Sequence, residues 1–303
     1  LNPDLAAVQV ALGKVHLAKG NTEVAHSALQ KAIAIDSNDP ESNRAIAGMY
    51  ARLGRIDDAE AAFRKAIALD PENLMSLDAY AHFLSDQGRL DEAAKQWRNA
   101  LALAPDHYAV LVNMGAVYSD NGQIGESIAM LERAIEIRPN YMAYVNLGSQ
   151  YDRISRYPAA VAALDKALAL DDTDWLAWVN LAFVYSYMNG MDQKTLRTFE
   201  HAIQLAEEAR KKNPRDAYVH SDLALYYVST GEHELATQRL ETALVLAPDS
   251  ADVAATATVV NESMGQREQA IHWAKTALRL GYPMRRLKAN RLLSELMLDP
   301  GMQ

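Results

Sequence analysis

Apolar positions along this chain fall three and four residues apart, break at a glycine, resume, and break again near a proline. That spacing marks amphipathic helices, each with one apolar stripe. Small residues hold one set of positions: Gly13, Ala47, Ala81, Gly115, Gly148, Ala182 and Ala224. A larger side chain stands three residues on, often a tyrosine (Tyr50, Tyr118, Tyr151, Tyr185, Tyr227). Then come a turn glycine (Gly20, Gly54, Gly88, Gly122, Gly231, Gly265) and a second small residue (Ala25, Ala59, Ala93, Ser127, Ala160, Ala202, Ala236, Ala270). Four later sits a bulky residue such as Leu29, Phe63, Trp97, Leu131, Leu164 or Leu240. Steps of 34 from Ala32 reach Ala66, Ala100 and Ala134, and steps back from Ala277 reach Ala243 and Ala209. The pattern predicts one helix pair per 34 residues and no strands.

Each position has a physical reason. Small residues let two helices approach to the short end of the packing range, and leucine or aromatic side chains fill the space beside them. Glycine ends the first helix of a pair, where a left-handed residue is needed. Pro71, Pro105, Pro139, Pro214 and Pro248 follow the second helix, which proline cannot extend.

The unit resembles the tetratricopeptide repeat, WxxLGxxYxxxGxxxxAxxxFxxAxxxxP, in eight copies over residues 3–280. The resemblance implies an all-α fold: an α-solenoid, a right-handed superhelix of about eight helix-turn-helix repeats. Residues 281–303 would form a C-terminal capping helix and tail.

Two departures stand out. Ala134 to Ala167 is 33 residues, with the deletion at Pro139-Asn140-Tyr141. Ala167 to Ala209 is 42 residues, which predicts a sixth repeat with an enlarged loop at 189–192 and a helix from Gln193 to about Lys212. That helix would be about two turns, or ~11 Å, longer than its siblings. It is either a tolerated insertion or a docking ridge.

In stacked helix pairs the first helix of each repeat lines the concave face. The residue before the Leu-Gly or Met-Gly position then points into a groove, and in three consecutive repeats it is asparagine: Asn113, Asn146 and Asn180. Flanking repeats carry Ala79 and Asp222 there. A carboxamide offers a donor and an acceptor side by side, the complement of one peptide group. Helices about 10 Å apart would meet every third residue of an extended segment advancing ~3.3 Å per residue. The row resembles the asparagine ladder of the O-linked N-acetylglucosamine transferases, which implies a threaded peptide; polar residues merely tolerated on an open face are the alternative. Asp120, Ser149, Asp152, Arg153, Phe183 and Tyr187 would complete the groove, with Phe183 and Tyr187 as apolar anchors or as core of a neighbouring repeat. Asp120 and Asp152 favour a basic or hydroxyl-bearing peptide. The two-carboxylate clamp of chaperone-binding tetratricopeptide proteins is missing, since Val10, Lys14, Ala45, Met75 and Ala79 stand at its positions.

Composition narrows the function. A formal charge of −9 disfavours nucleic acid as a partner. The chain has no cysteine, which excludes disulfides and a thiol nucleophile and fits bacterial cytoplasm or periplasm alike. No run of about 18 apolar residues predicts membrane insertion. The eight histidines never pair at helical ligand spacing, so no metal, cofactor or catalytic group is expected. The start at Leu1 reads as a segment of a longer protein.

After Pro283, Met284–Leu298 reads as one more amphipathic helix, with Leu287, Leu292, Leu293, Leu296 and Met297 covering the last repeat. Arg285, Arg286, Lys288 and Arg291 give it a basic face, either solvated or set against an acidic partner. Gly281-Tyr282-Pro283 and Leu292-Leu293-Ser294-Glu295-Leu296-Met297-Leu298-Asp299-Pro300 resemble the end of tetratricopeptide regions in bacterial serine/threonine kinases, adenylate cyclases and winged-helix regulators. That resemblance implies a regulatory or sensory region. The expected function is a non-catalytic scaffold that binds a protein or peptide in its groove. The alternatives are a self-assembling or intramolecular regulatory element, as homo-oligomer or against a missing effector domain, and the acceptor-binding region of a glycosyltransferase.

Overall fold

A computed structural model describes residues 5–302; residues 3, 4 and 303 of the expected array and tail lie outside them. Among the described residues all regular structure is helical and falls into two compact units, Leu1–Pro139 and Asn140–Gln303. The boundary coincides with the shortened turn.

The first unit holds four helix pairs: α1 (Ala6–Ala18) with α2 (Thr22–Ile35), α3 (Pro40–Arg52) with α4 (Ile56–Leu69), α5 (Leu74–Asp86) with α6 (Leu90–Leu103), and α7 (Tyr108–Asp120) with α8 (Ile124–Ile137). The second holds α9 (Tyr141–Arg153) with α10 (Tyr157–Leu170), α11 (Trp175–Ser186) with α12 (Asp192–Lys212), α13 (Ala217–Ser229) with α14 (His233–Leu246), and α15 (Ala251–Ser263) with α16 (Arg267–Arg279). A short α17 (Met284–Ala289) and three 3-10 turns follow.

The pairs form for the reasons the repeat suggests. Gly54 has φ +70°, and its neighbour Arg55 returns an N–H to the Tyr50 carbonyl at 2.9 Å, which closes the end of α3. Repeat five lacks this glycine, and Ser155 takes the left-handed conformation instead, at φ 59°. First helices after α1 are capped by side chains: the Asn73 and Asn140 carboxamides accept the N–H groups of Ser76 and Ala143 at 3.0 and 2.9 Å. The turn before α9 has three residues, 138–140, where the turn before α7 has four, 104–107. Helix α12 is 21 residues long against 14 for α10 and α14, so the surplus of the sixth repeat lies in a longer second helix.

Within a pair, contact is close. A Cβ added at Gly115 would lie 2.7 Å from Leu131 Cγ, and one at Gly148 would lie 2.6 Å from Leu164 Cγ. Both leucines are fully buried. Between pairs, carboxylates tie neighbours together. Glu60 on α4 accepts from Arg89 at 2.5 Å and from the Tyr80 hydroxyl at 3.0 Å, and the Arg89 guanidinium holds its carboxyl down at about 2. Glu207 on α12 likewise takes Tyr227 at 3.1 Å and Arg239 at 3.2 Å.

Two stability outcomes follow for repeat five. Ser155→Gly relieves the left-handed strain and should stabilise the protein by about 0.5–1 kcal/mol. Gly148→Ala forces Leu164 aside and should cost about 1–3 kcal/mol. Denaturant melts of the two variants against the parent check both signs.

Candidate functional site

Asn113 lies in the first unit, on α7. Its Nδ2 meets His82 Nε2 on α5 at 3.1 Å, and His82 Nε2 is 3.7 Å from Asp78 Oδ1. The indole of Trp97 donates to the same Asp78 oxygen at 2.7 Å and meets the His82 ring edge-on at 5.1 Å. The Asn113 carboxamide is thereby the outer member of a polar chain joining two repeats. Asp120, the last residue of α7, is half-buried in the same unit.

The remaining residues expected to line a groove sit in the second unit. Asn146, Ser149, Asp152 and Arg153 share α9; Asn180 and Phe183 lie on α11, and Tyr187 is its C-cap. These are the first helices of consecutive repeats. Asn180 Nδ2 donates to Ser149 Oγ at 3.3 Å, while that hydroxyl donates to the Val145 carbonyl at 3.1 Å. Asn146 is half-buried one turn before Ser149. Arg153 is exposed at the end of α9, with Nη1 3.4 Å from Gln150 Oε1.

Of the two readings open for Phe183, groove anchor or core, its contacts are those of core packing. Its ring meets Phe199 of α12 edge-on at 5.1 Å and packs against the core of the unit. Packing two rings inside the repeat removes more apolar surface from water than exposing one to a groove. Tyr187 stacks with Tyr157 of α10 at 6.1 Å and 18°.

The C-terminal segment also departs from expectation. It is not one helix over Met284–Leu298: α17 stops at Ala289, where Asn290 turns extended and its carboxamide accepts the Leu292 N–H at 3.0 Å. A short polar side chain that bonds the nearby backbone competes with helix continuation. Leu287, Leu293 and Leu296 still bury themselves against α15 and α16, as a cap should. Leu292 is exposed. Arg285, Arg286 and Lys288 face solvent, but Arg291 leaves that basic face. Its Nη1 donates to Asp152 Oδ1 at 3.1 Å, its Nη2 to the Asp152 carbonyl, and its guanidinium carbon lies 4.6 Å from the Tyr187 ring centre. Burial raises the Asp152 carboxyl, and the Arg291 charge opposes that rise.

Asp222 on α13, in the asparagine register, makes a different contact. It accepts from the Trp175 indole at 3.1 Å. Burial pushes its carboxyl up to about 6, helped by the nearby charges of Asp216 and Asp174 and opposed by the indole N–H. Sequence reasoning noted Asp222 only as a break in the asparagine row and missed Tyr157 altogether. The one available signal was a carboxylate standing where its neighbours carry an amide.

Among the described residues no cluster of three His, Asp or Glu could hold a metal, and no helix is long and apolar enough to cross a membrane. The helix pairs define a scaffold that presents polar side chains on its first helices. The chain belongs to the tetratricopeptide repeat family: two models of that repeat match residues 10–73 and 112–174, and residues 72–140 and 176–249. A tetratricopeptide repeat protein from Parabacteroides merdae is similar at 18% identity, with TM-score 0.58 over 86% of this chain and 99% of that one. Human IFIT1, solved with m7Gppp-AAAA, is similar at 20% identity, with TM-score 0.57 over 97% and 81%. Pseudomonas aeruginosa PilF is similar at 21% identity, with TM-score 0.56 over 69% and 92%. These likenesses concern the fold. No curated protein sequence matches the chain.

The raised Asp222 carboxyl sets a pH dependence. Between about 4 and about 6 the folded state binds a proton that the unfolded state does not, so this contribution to stability is full at low pH and is lost as pH rises through 6. Asp222→Asn keeps an acceptor for Trp175. It should flatten that decline and add up to about 3 kcal/mol above pH 7, since each tenfold change in proton affinity is worth about 1.4 kcal/mol. Thermal melts from pH 4 to pH 8 check it.

Proposed function

We propose that this chain is the regulatory or sensory repeat region of a bacterial signalling protein, holding an extended partner segment against the first helices of its second unit. A protein-binding scaffold is the role the fold supports; the groove and the signalling context are the reading advanced here. The observation that carries it is the placement of Asn146 and Asn180 on adjacent first helices, both half-buried, with Asn180 pinned by a single hydrogen bond to Ser149. One bond fixes the carboxamide while leaving a second N–H and the carbonyl for a peptide group. The acidic side chain of Asp152 beside them favours a basic segment.

Crosslinking pull-down from the native host tests the reading, with the parent chain beside an Asn146→Ala, Asn180→Ala variant. The expected outcome is a partner lost only from the variant, with affinity reduced by about 1–2 kcal/mol per amide pair. Partners retained equally by both proteins would place binding elsewhere and overturn the amide reading.

A further inference from the structure

Arg291 is held as a ligand is held. Its planar fork spans two acceptors of one residue, the carboxylate and the backbone carbonyl of Asp152, while its face lies over Tyr187 at 4.6 Å and near Tyr157 at 5.9 Å. The two rings stack on each other at 6.1 Å and make one wall. A guanidinium suits this set and an ammonium does not: it is flat, has donors on two edges, and stacks on aromatic faces. Asp152 lies at the C-terminal end of α9, and its side chain keeps only 24% of its exposure with Arg291 in place. A carboxylate so enclosed needs a cation against it.

The residue that supplies the cation comes from 139 positions away, on a segment otherwise fastened to α15 and α16. Leu287 and Leu293 are buried on either side of Arg291, and Arg267 reaches Glu295 and Asp299 further along. The segment therefore stays docked without the arginine contact, and the arginine is free to leave without the segment.

We propose that Asp152, Tyr157 and Tyr187 form an arginine-recognition site for an extended, arginine-bearing segment of a partner protein, and that Arg291 is its tethered occupant. This rests on the peptide-binding reading above and names the chemistry of the partner. A built-in occupant makes the site selective: a partner gains it only by displacing Arg291, so apparent affinity falls by the fraction of time the site stands empty. Asn180 and Ser149, on the same two helices, would lie along the path of the segment's backbone.

The test uses two fluorescent peptides, Gly-Ser-Gly-Arg-Gly-Ser-Gly and its lysine counterpart, titrated by anisotropy into the full chain and its variants. Arg291→Ala should bind the arginine peptide at least tenfold more tightly than the parent does and should prefer it to the lysine peptide. Arg291→Lys, which keeps a charge opposite Asp152 and guards against misfolding, should fall between. Adding Asp152→Asn to Arg291→Ala should abolish the preference for arginine. Equal binding by parent and Arg291→Ala, binding by neither, or equal affinity for the two peptides would overturn the proposal. Asn146→Ala with Asn180→Ala in the Arg291→Ala background separates the two readings. Loss there with no effect of Asp152→Asn leaves the amide site and overturns the arginine site. Loss with Asp152→Asn alone supports the arginine site and overturns the amide one.

Discussion

The close approach of paired helices is the constraint on which the rest of this structure depends. At Gly13, Gly115 and Gly148 the opposing leucine sits where a Cβ would have to be, within 2.7 Å in each case. No rotation or slide of one helix on the other preserves that fit. Because the pair is rigid, the next pair stacks at a fixed offset, and side chains on successive first helices come into a fixed register. Asn180 meets Ser149 on α9, and Asn113 meets His82 on α5, because backbone geometry delivers them there. The register of these polar contacts is thus set by how closely the paired helices pack.

Periodic features were legible in the sequence and aperiodic ones were not. Helix pairs, the three-residue turn before α9 and the long α12 follow from counting residues, since each is a local property of one repeat. Phe183 was not legible, because the choice between groove and core depends on where Phe199 of the following helix points. The end of α17 turned on one competing hydrogen bond at Asn290, too local for a hydrophobic pattern to reveal. Arg291 was read as part of a basic stripe; its partner lies outside any repeat spacing, and no period could have announced it.

The two carboxylates on first helices of the second unit answer burial differently. Asp152 is met by a full positive charge, which opposes the rise that burial imposes on its carboxyl and ties a distant segment to α9. Asp222 is met by a neutral indole N–H; burial raises the proton affinity of both carboxylates, and only at Asp152 does a nearby cation oppose the rise. One site is built to need a cation and the other to tolerate a proton. Both residues are aspartates on equivalent helices, and they differ in the partner that meets them.

The contact between Arg291 and Asp152 also changes how the second unit comes apart. An open stack of helix pairs touches only nearest neighbours, so it can lose pairs one at a time from a free end. Here the last segment is fastened back to the first helix of the unit, which makes a closed circuit of a linear array. Closing a loop of that length costs entropy that grows only with the logarithm of its size, so one charge-assisted contact goes a long way. While the circuit holds, fraying at the C-terminus must break a contact made four repeats earlier. The repeats between α9 and α16 are linked in this way only while Arg291 stays in place, so each departure of the arginine returns the unit to an open, end-fraying stack.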